Sequence, residues 1–142
     1  MLFRSRSFCC WPTAKSIKTT HNKRIKISGN NNILYVGKNT LLRDSNIFIK
    51  GNNNIIYIGD DCVVNNTSII LDNEGSEIRI GNKTSIAKVQ IVSLEPYKIE
   101  IGEDCMLSYD IEIRNTDSHK IYDKNTNESS VKNPEFAHTG RD

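Results

Sequence analysis

The sequence has no apolar run long enough to cross a membrane or to form the core of a secretory signal peptide. Only 37% of its 142 residues are hydrophobic and it contains a single Trp. A membrane-spanning helix needs about 20 predominantly apolar residues, and a signal-peptide core needs about 7–15. The length is that of one domain, and so low an apolar share favours a thin core that is repeated along an axis over a thick one.

Acidic residues are absent from the first 43 positions. Nine Lys and Arg residues precede Asp44, whereas the remaining 99 residues carry ten basic and 17 acidic side chains. We interpret residues 1–24 as a basic, loosely ordered leader that either stays solvated or makes peripheral contact with an anionic membrane surface. An organellar transit segment is the alternative. Nucleic acid is not an expected partner, because the basic residues lack the interleaved aromatic residues of a reader module.

The four cysteines do not form a disulfide framework. Cys9 and Cys10 are adjacent, while Cys62 and Cys105 each stand alone in the sequence. This spacing suits neither a set of disulfides nor a structural metal site. The sequence therefore predicts a reducing, cytoplasmic location.

What the sequence does contain is an internal repeat of about 22 residues. The stretch IKISGNNNILYVGKNT (25–40) returns as IFIKGNNNIIYIGDDC (47–62). Each repeat has an aliphatic residue followed by Gly, and a small residue stands four positions after that aliphatic residue. The glycines are Gly37, Gly59, Gly81 and Gly102, with spacings of 22, 22 and 21, and the small residues are Thr40, Cys62, Thr84 and Cys105. Cys62 and Cys105 are thus predicted to be small interior residues.

Short alternations of Ile with charged or aromatic residues predict β-strands. They occur at 25–27, 47–49, 78–80, 99–101 and 111–113, and period-2 alternation of β-branched residues places the aliphatic side chains on one face. Three six-residue steps fill most of each repeat, and the four residues left over match a GNNN corner at 29–32 and 51–54. Asn and Gly suit such corners because they tolerate left-handed backbone conformations. We predict an all-β, left-handed parallel β-helix of about four to five coils over residues 25–119, followed by a polar loop and tail at 120–142.

This pattern resembles the hexapeptide-repeat acyltransferases. Within that superfamily, the segment CMLSYDIEIRNTDSHKIYD (105–123) is similar to the active-site coil of sugar and polysaccharide O-acetyltransferases. The resemblance implies a homotrimer that transfers an acetyl group from acetyl-CoA to a saccharide hydroxyl, without a metal. It does not indicate which residues bind acetyl-CoA.

The resemblance assigns catalysis to His119, as the general base that removes the proton of the acceptor hydroxyl. An imidazole with a pKa near 6.5 can do this at neutral pH. Asp117 would orient that imidazole, with Asp110 as a second candidate partner. Asp110, Asn115 and Ser118 are candidate contacts for the saccharide. His21 and His138 have no surrounding motif and are interpreted as incidental.

The sequence departs from this family after the candidate site. Related enzymes continue past an Asn-Pro pair into further repeats, whereas here Asn133 and Pro134 are followed by no hexapeptide. We therefore interpret the chain as C-terminally truncated. The alternative function is a catalytically impaired β-helix that serves as a scaffold or binding module. A zinc enzyme on the same fold is not expected, because His119 is the only histidine within the repeat region.

Overall fold

The computed structural model describes residues 2–4, 24–116 and 137–138, and in these residues all regular structure is β-strand. The strands are short because a corner interrupts the chain every few residues. They are β1 (Leu2–Arg4), β2 (Arg24–Ser28), β3 (Ile33–Val36), β4 (Leu41–Arg43), β5 (Asn46–Lys50), β6 (Ile55–Ile58), β7 (Val63–Asn65), β8 (Ser68–Asp72), β9 (Glu77–Ile80), β10 (Ser85–Ala87), β11 (Val89–Ser93), β12 (Lys98–Ile101), β13 (Met106–Leu107), β14 (Ile111–Arg114) and β15 (Ala137–His138).

The strands form three sheets that wrap around one axis. Sheet A has the order β1-β3-β6-β9-β12-β15, sheet B the order β14-β11-β8-β5-β2, and sheet C the order β13-β10-β7-β4. The chain passes through sheets B, A and C in turn, so each strand pairs with the equivalent strand one coil away. All of these pairings are parallel except that of β1 with β3. The predicted all-β parallel β-helix is confirmed, with four complete coils and a fifth begun by β14.

The core consists of aliphatic columns, one residue from each coil. Each inward position lies directly above its equivalent in the previous coil, so aliphatic residues meet aliphatic residues, and in sheet A most of these pairs are Ile with Ile. One column of sheet A contains Leu34, Ile56, Ile78 and Ile99, all fully buried. Full burial of such a side chain contributes about 1.5–3 kcal/mol relative to exposure. The thin, repeated core expected from the composition is therefore what holds the coils together.

The predicted corners lie where the sequence placed them. Residues 29–32 join β2 to β3, and residues 51–54 join β5 to β6. In these corners Asn31 and Asn53 have φ values of 55° and 58°, and Gly29 and Gly51 have φ values near 100°. Left-handed conformation also recurs at the other corners, mostly at Asn and Asp but also at two lysines. These residues are Asn39, Asp44, Asp61, Asn66, Lys83, Lys88, Asp104 and Asp110.

Three of the four small residues after the glycines, Thr40, Cys62 and Thr84, are buried, and they link adjacent coils. The Thr40 hydroxyl donates to the Gly59 carbonyl oxygen at 2.6 Å and accepts from the Cys62 backbone N–H at 3.1 Å. The Cys62 thiol donates to the Gly81 carbonyl at 3.1 Å. Cys62 is fully buried, and its burial raises the pKa of its thiol. Cys105, at the top of this column, is only half-buried.

Sheet A extends beyond the repeat at both ends. β1 pairs in antiparallel fashion with β3, and β15 pairs in parallel with β12. These two strands fall in the segments predicted to be a leader and a tail. The predicted boundaries of those segments stay predictions, since residues 5–23 and 117–136 lie outside the described part of the chain. Among the described residues, no helix has the length and apolar character required to span a membrane.

Candidate functional site

The candidate site belongs to the last coil, where β14 forms the upper edge of sheet B. β14 ends at Arg114, and its inward Ile113 continues the column of Ile47, Ile69 and Ile91. The predicted catalytic residues Asp117 and His119, together with Ser118, follow within five residues of this strand but lie outside the described residues. Their assigned roles stay predictions. Asp110 and Asn115 are described, and they occupy very different positions.

Asp110 lies on the surface, at the corner that precedes β14. Its φ of 60° and the hydrogen bond from its backbone N–H to the Lys88 carbonyl, at 3.0 Å, define the turn. The Lys88 ammonium lies 2.7 Å from its carboxylate. Because the Asp110 side chain is 72% exposed, this ion pair contributes little to stability. The carboxylate of Asp110 is therefore accessible to a bound molecule as well as to Lys88.

Asn115 lies inside the solenoid rather than on its surface, with 9% of its area exposed. Its Nδ2 donates to Ser93 Oγ at 2.7 Å and to the Glu95 carbonyl at 3.0 Å. Its Oδ1 accepts from the backbone N–H of Leu94 at 3.0 Å and of Glu95 at 3.4 Å. Both hydrogens and the oxygen of this carboxamide thus have partners within the protein.

Ser93 is a residue of this region that the sequence reasoning missed. It is fully buried, one coil below Asn115, and its hydroxyl donates to the Glu95 carbonyl at 3.3 Å. The repeat could have revealed it, because Ser93 lies 22 residues after the aliphatic Leu71 and pairs with it in register. A polar residue in an otherwise aliphatic column was the available signal.

The same coil contains the single shortened interval of the repeat. Seven positions separate the paired residues Leu71 and Ile78, but six separate Ser93 and Ile99, which stand above them. The spacing of 21 in the sequence is therefore a deletion at the corner between β11 and β12. This corner includes Pro96, and none of its residues has a positive φ. It lies directly below Asn115.

The exposed apolar residues of the described chain include Met106, at 85%, in β13 of the fourth coil and Tyr109, at 70%, in the corner between β13 and β14. A stacked pair of tyrosines lies elsewhere, on the outer face of sheet A. Tyr35 and Tyr57 stack with ring centroids 4.8 Å apart, and the guanidinium of Arg79 lies 5.7 Å from the Tyr57 ring centroid. In that ladder, the faces of the rings make the contacts between adjacent coils. No group of three or more potential metal-ligating side chains occurs among the described residues.

Fold and repeat define a β-solenoid of the hexapeptide-repeat type. Comparison with known proteins finds acetyltransferases similar to this chain. No family model matches the chain. A polysialic acid O-acetyltransferase from Neisseria meningitidis is 38% identical over 123 residues, which cover 87% of this chain and 54% of that protein. The predicted relationship to the hexapeptide-repeat acetyltransferases is confirmed.

Two solved structures are similar to the chain. The polysialic acid O-acetyltransferase OatWY superimposes with a TM-score of 0.55 at 30% identity, covering 77% of this chain and 61% of that one. The polysialic acid-specific acetyltransferase NeuO also gives a TM-score of 0.55, covering 75% of this chain and 59% of that one, but at 19% identity this match bears on the fold alone. The chain thus spans little more than half the length of the relatives it matches.

Proposed function

We propose that this protein is a polysaccharide O-acetyltransferase that moves an acetyl group from acetyl-CoA to a saccharide hydroxyl. The observation that carries the proposal is the 38% identity to a polysialic acid O-acetyltransferase. The matched stretch covers 123 of 142 residues. Any stretch of that length includes residues 20–123, so the segment that contains Asp117 and His119 lies within it.

The chemistry requires one proton transfer and no covalent enzyme intermediate. His119 takes the proton of the acceptor hydroxyl as its oxygen attacks the thioester carbonyl. The carbon–sulfur bond then breaks, and the leaving CoA thiolate receives that proton from the imidazolium. Acetyl-CoA is a substrate in this scheme and is already activated, so proximity and a base suffice. Asp117 orients the imidazole, while Asp110 and Ser118 contact acceptor hydroxyls. Asn115, whose amide is bonded inside the solenoid, was also predicted to contact the saccharide.

Replacing His119 tests the proposal directly. We expect His119→Ala to lower kcat by about 10²–10⁴-fold, the usual contribution of a general base. The measurement is transfer of radiolabelled acetyl from acetyl-CoA to a panel of saccharides that includes polysialic acid. His21→Ala is the matched control and should keep wild-type turnover. A wild-type protein that transfers no acetyl to any member of the panel would contradict the enzyme assignment.

A scaffold or binding module is the second candidate. A scaffold would bind saccharide without turnover, and His119→Ala would leave that binding unchanged. We also propose a homotrimer in the cytoplasm. Sedimentation equilibrium of the purified chain would test the trimer, and cell fractionation would test the location.

A further inference from the structure

One interior column of sheet B changes character near the end of the solenoid. From the first coil upward it reads Ile27, Ile49, Leu71, Ser93 and Asn115. The three aliphatic members pack in the core, whereas the last two are polar although they are 0% and 9% exposed. Burying polar groups is unfavourable unless they are hydrogen-bonded. An aliphatic pair would have continued the column at no such cost, so the polar pair has another use.

That use is visible in the partners of the Asn115 carboxamide. It makes four hydrogen bonds, and all of them reach one coil down, to Ser93 Oγ and to backbone groups of Leu94 and Glu95. The ordinary parallel ladder also reaches this residue, through its backbone N–H and the Val92 carbonyl at 3.3 Å. The end of β14 is therefore bound to the corner below by side chain and backbone together.

The position of this attachment along the chain matters for the proposed reaction. Asn115 is the first residue after β14, and His119 is four residues further on. Four residues span at most about 14 Å. The attachment thus limits where the proposed base can lie, and a displacement of about 1 Å at a reacting group can cost on the order of 100-fold in rate.

We propose that Asn115 is a positioning residue for acetyl transfer. Its carboxamide fixes the end of β14 on the Leu94–Glu95 corner and so fixes the point from which the chain leads to His119. This inference rests on the proposed function. It assigns Asn115 a role inside the protein rather than a contact with the saccharide.

The test compares two buried asparagines in the full-length protein. Asn54 is fully buried, and its carboxamide also bonds the backbone of the next coil, at Asn73 and Ser76. We expect Asn115→Ala to lower kcat by about 10–100-fold with KM changed less than about threefold. Asn54→Ala should leave kcat within about twofold. Ser93→Ala removes one of the four hydrogen bonds, and its kcat should lie between those of the other two variants.

A second measurement does not depend on activity. Trypsin cleavage after Lys120, followed by mass spectrometry, should be roughly tenfold faster in Asn115→Ala than in wild type or Asn54→Ala, because local opening near the attachment becomes easier. Equal cleavage rates in all three proteins would overturn the attachment itself. Retention of wild-type kcat by Asn115→Ala, or an equal loss in Asn54→Ala, would overturn the positioning role even if His119→Ala is inactive. A wild-type protein without transferase activity overturns the proposed function, while faster cleavage still supports the attachment.

Discussion

Three of the four repeated glycines, Gly37, Gly59 and Gly81, have their physical reason in the distance between coils. A Cβ built on Gly81 would lie 2.6 Å from the Gly102 carbonyl carbon and 2.7 Å from its oxygen. Gly37 faces the Gly59 backbone in the same way. A side chain at these positions would push the backbones of adjacent coils apart, although their φ values are ordinary. Glycine at these three positions is thus a packing requirement, and Gly29 and Gly51 combine the same close approach to the next coil with a positive φ.

Substituting Gly81 and Gly102 tests this packing requirement, because within the part of the chain that the structure describes a Cβ would clash with the next coil at Gly81 but not at Gly102. We expect Gly81→Ala to lower the free energy of unfolding by about 1–3 kcal/mol or more, as overpacking does. Gly102→Ala is the matched control, because among the described residues its Cβ would meet only Cys105 Sγ, at 3.6 Å. It should change stability by less than about 0.5 kcal/mol. Urea unfolding followed by circular dichroism measures both, and equal losses would contradict the proposed role of coil spacing.

Cys62 gives a prediction on pH. Burial raises the pKa of its thiol above the ordinary 9.0. Above that pH the unfolded chain loses the thiol proton while the folded chain keeps it, so the folded state binds more protons and stability falls as pH rises, by up to about 1.4 kcal/mol per pH unit. Cys62→Thr, which installs the residue found at positions 40 and 84, should lose less stability between pH 8 and 10. Urea midpoints across this range give the comparison, and parallel decline in both proteins would refute it.

At the scale of elements, the corners between sheets B and A are joined from coil to coil by buried asparagine side chains. The buried carboxamide of Asn32 accepts from the Asn54 backbone N–H at 3.0 Å, and that of Asn54 accepts from the Ser76 N–H at 2.9 Å. Their amide nitrogens donate to backbone carbonyls of the next coil, at 2.8 Å and 2.6 Å. This ladder satisfies backbone groups that the corner removes from the sheets.

The ladder predicts a graded response at position 54. Asn54→Ala leaves the buried Ser76 N–H and Asn73 carbonyl without their partner, so we expect a loss of about 1–3 kcal/mol in the free energy of unfolding. Asn54→Ser should lose less, because Ser76 fills the same position in the next coil and bonds the Glu95 carbonyl at 2.9 Å. Thermal unfolding by calorimetry distinguishes the two variants. A larger loss in Asn54→Ser would be inconsistent with the ladder.

The strands and the first corners were predictable because one rule is repeated. Ile at every second position and Gly 22 residues apart specify the inner wall, and GNNN specifies the corner by its backbone preferences. Lys83 and Lys88 were not predictable as left-handed residues, since Lys has no intrinsic preference for that conformation. They adopt it because the adjacent coils impose it. Asp61 and Asp104 occupy the corner position of Lys83 in the coils below and above, and Asn66 and Asp110 occupy that of Lys88.

The candidate site was only partly predictable for a related reason. Asp110 could be placed at a corner by its distance from the strand, but the direction of Asn115 depends on the register of sheet B. Asn115 follows Arg114 in sequence and falls on the inward side, above Ser93. The motif around it suggested a ligand contact, whereas the column to which it belongs gives it internal hydrogen bonds. Asp117, Ser118 and His119 rest on sequence similarity alone.

For the whole molecule, the outer strands β1 and β15 define the two edges of sheet A. An unpaired edge strand can pair with another molecule, and β1 occupies the lower edge at β3. We expect removal of residues 1–20 to increase self-association at equal protein concentration. Light scattering after size-exclusion chromatography measures it. A variant that keeps residues 1–6 and lacks 7–20 is the control for loss of basic charge, and equal behaviour of both deletions would argue against an edge effect.

The return of the chain at β15 has a broader consequence. β14 ends at Arg114 and β15 begins at Ala137, yet β15 pairs in parallel with β12, where a strand of the next coil would stand. The 22 residues between these two strands, against four between β2 and β3, therefore leave the pairing within sheet A in place. Residues added there are released from the 22-residue period and can diversify independently of it, so substrate preference could change in evolution while the stacked framework stays constant.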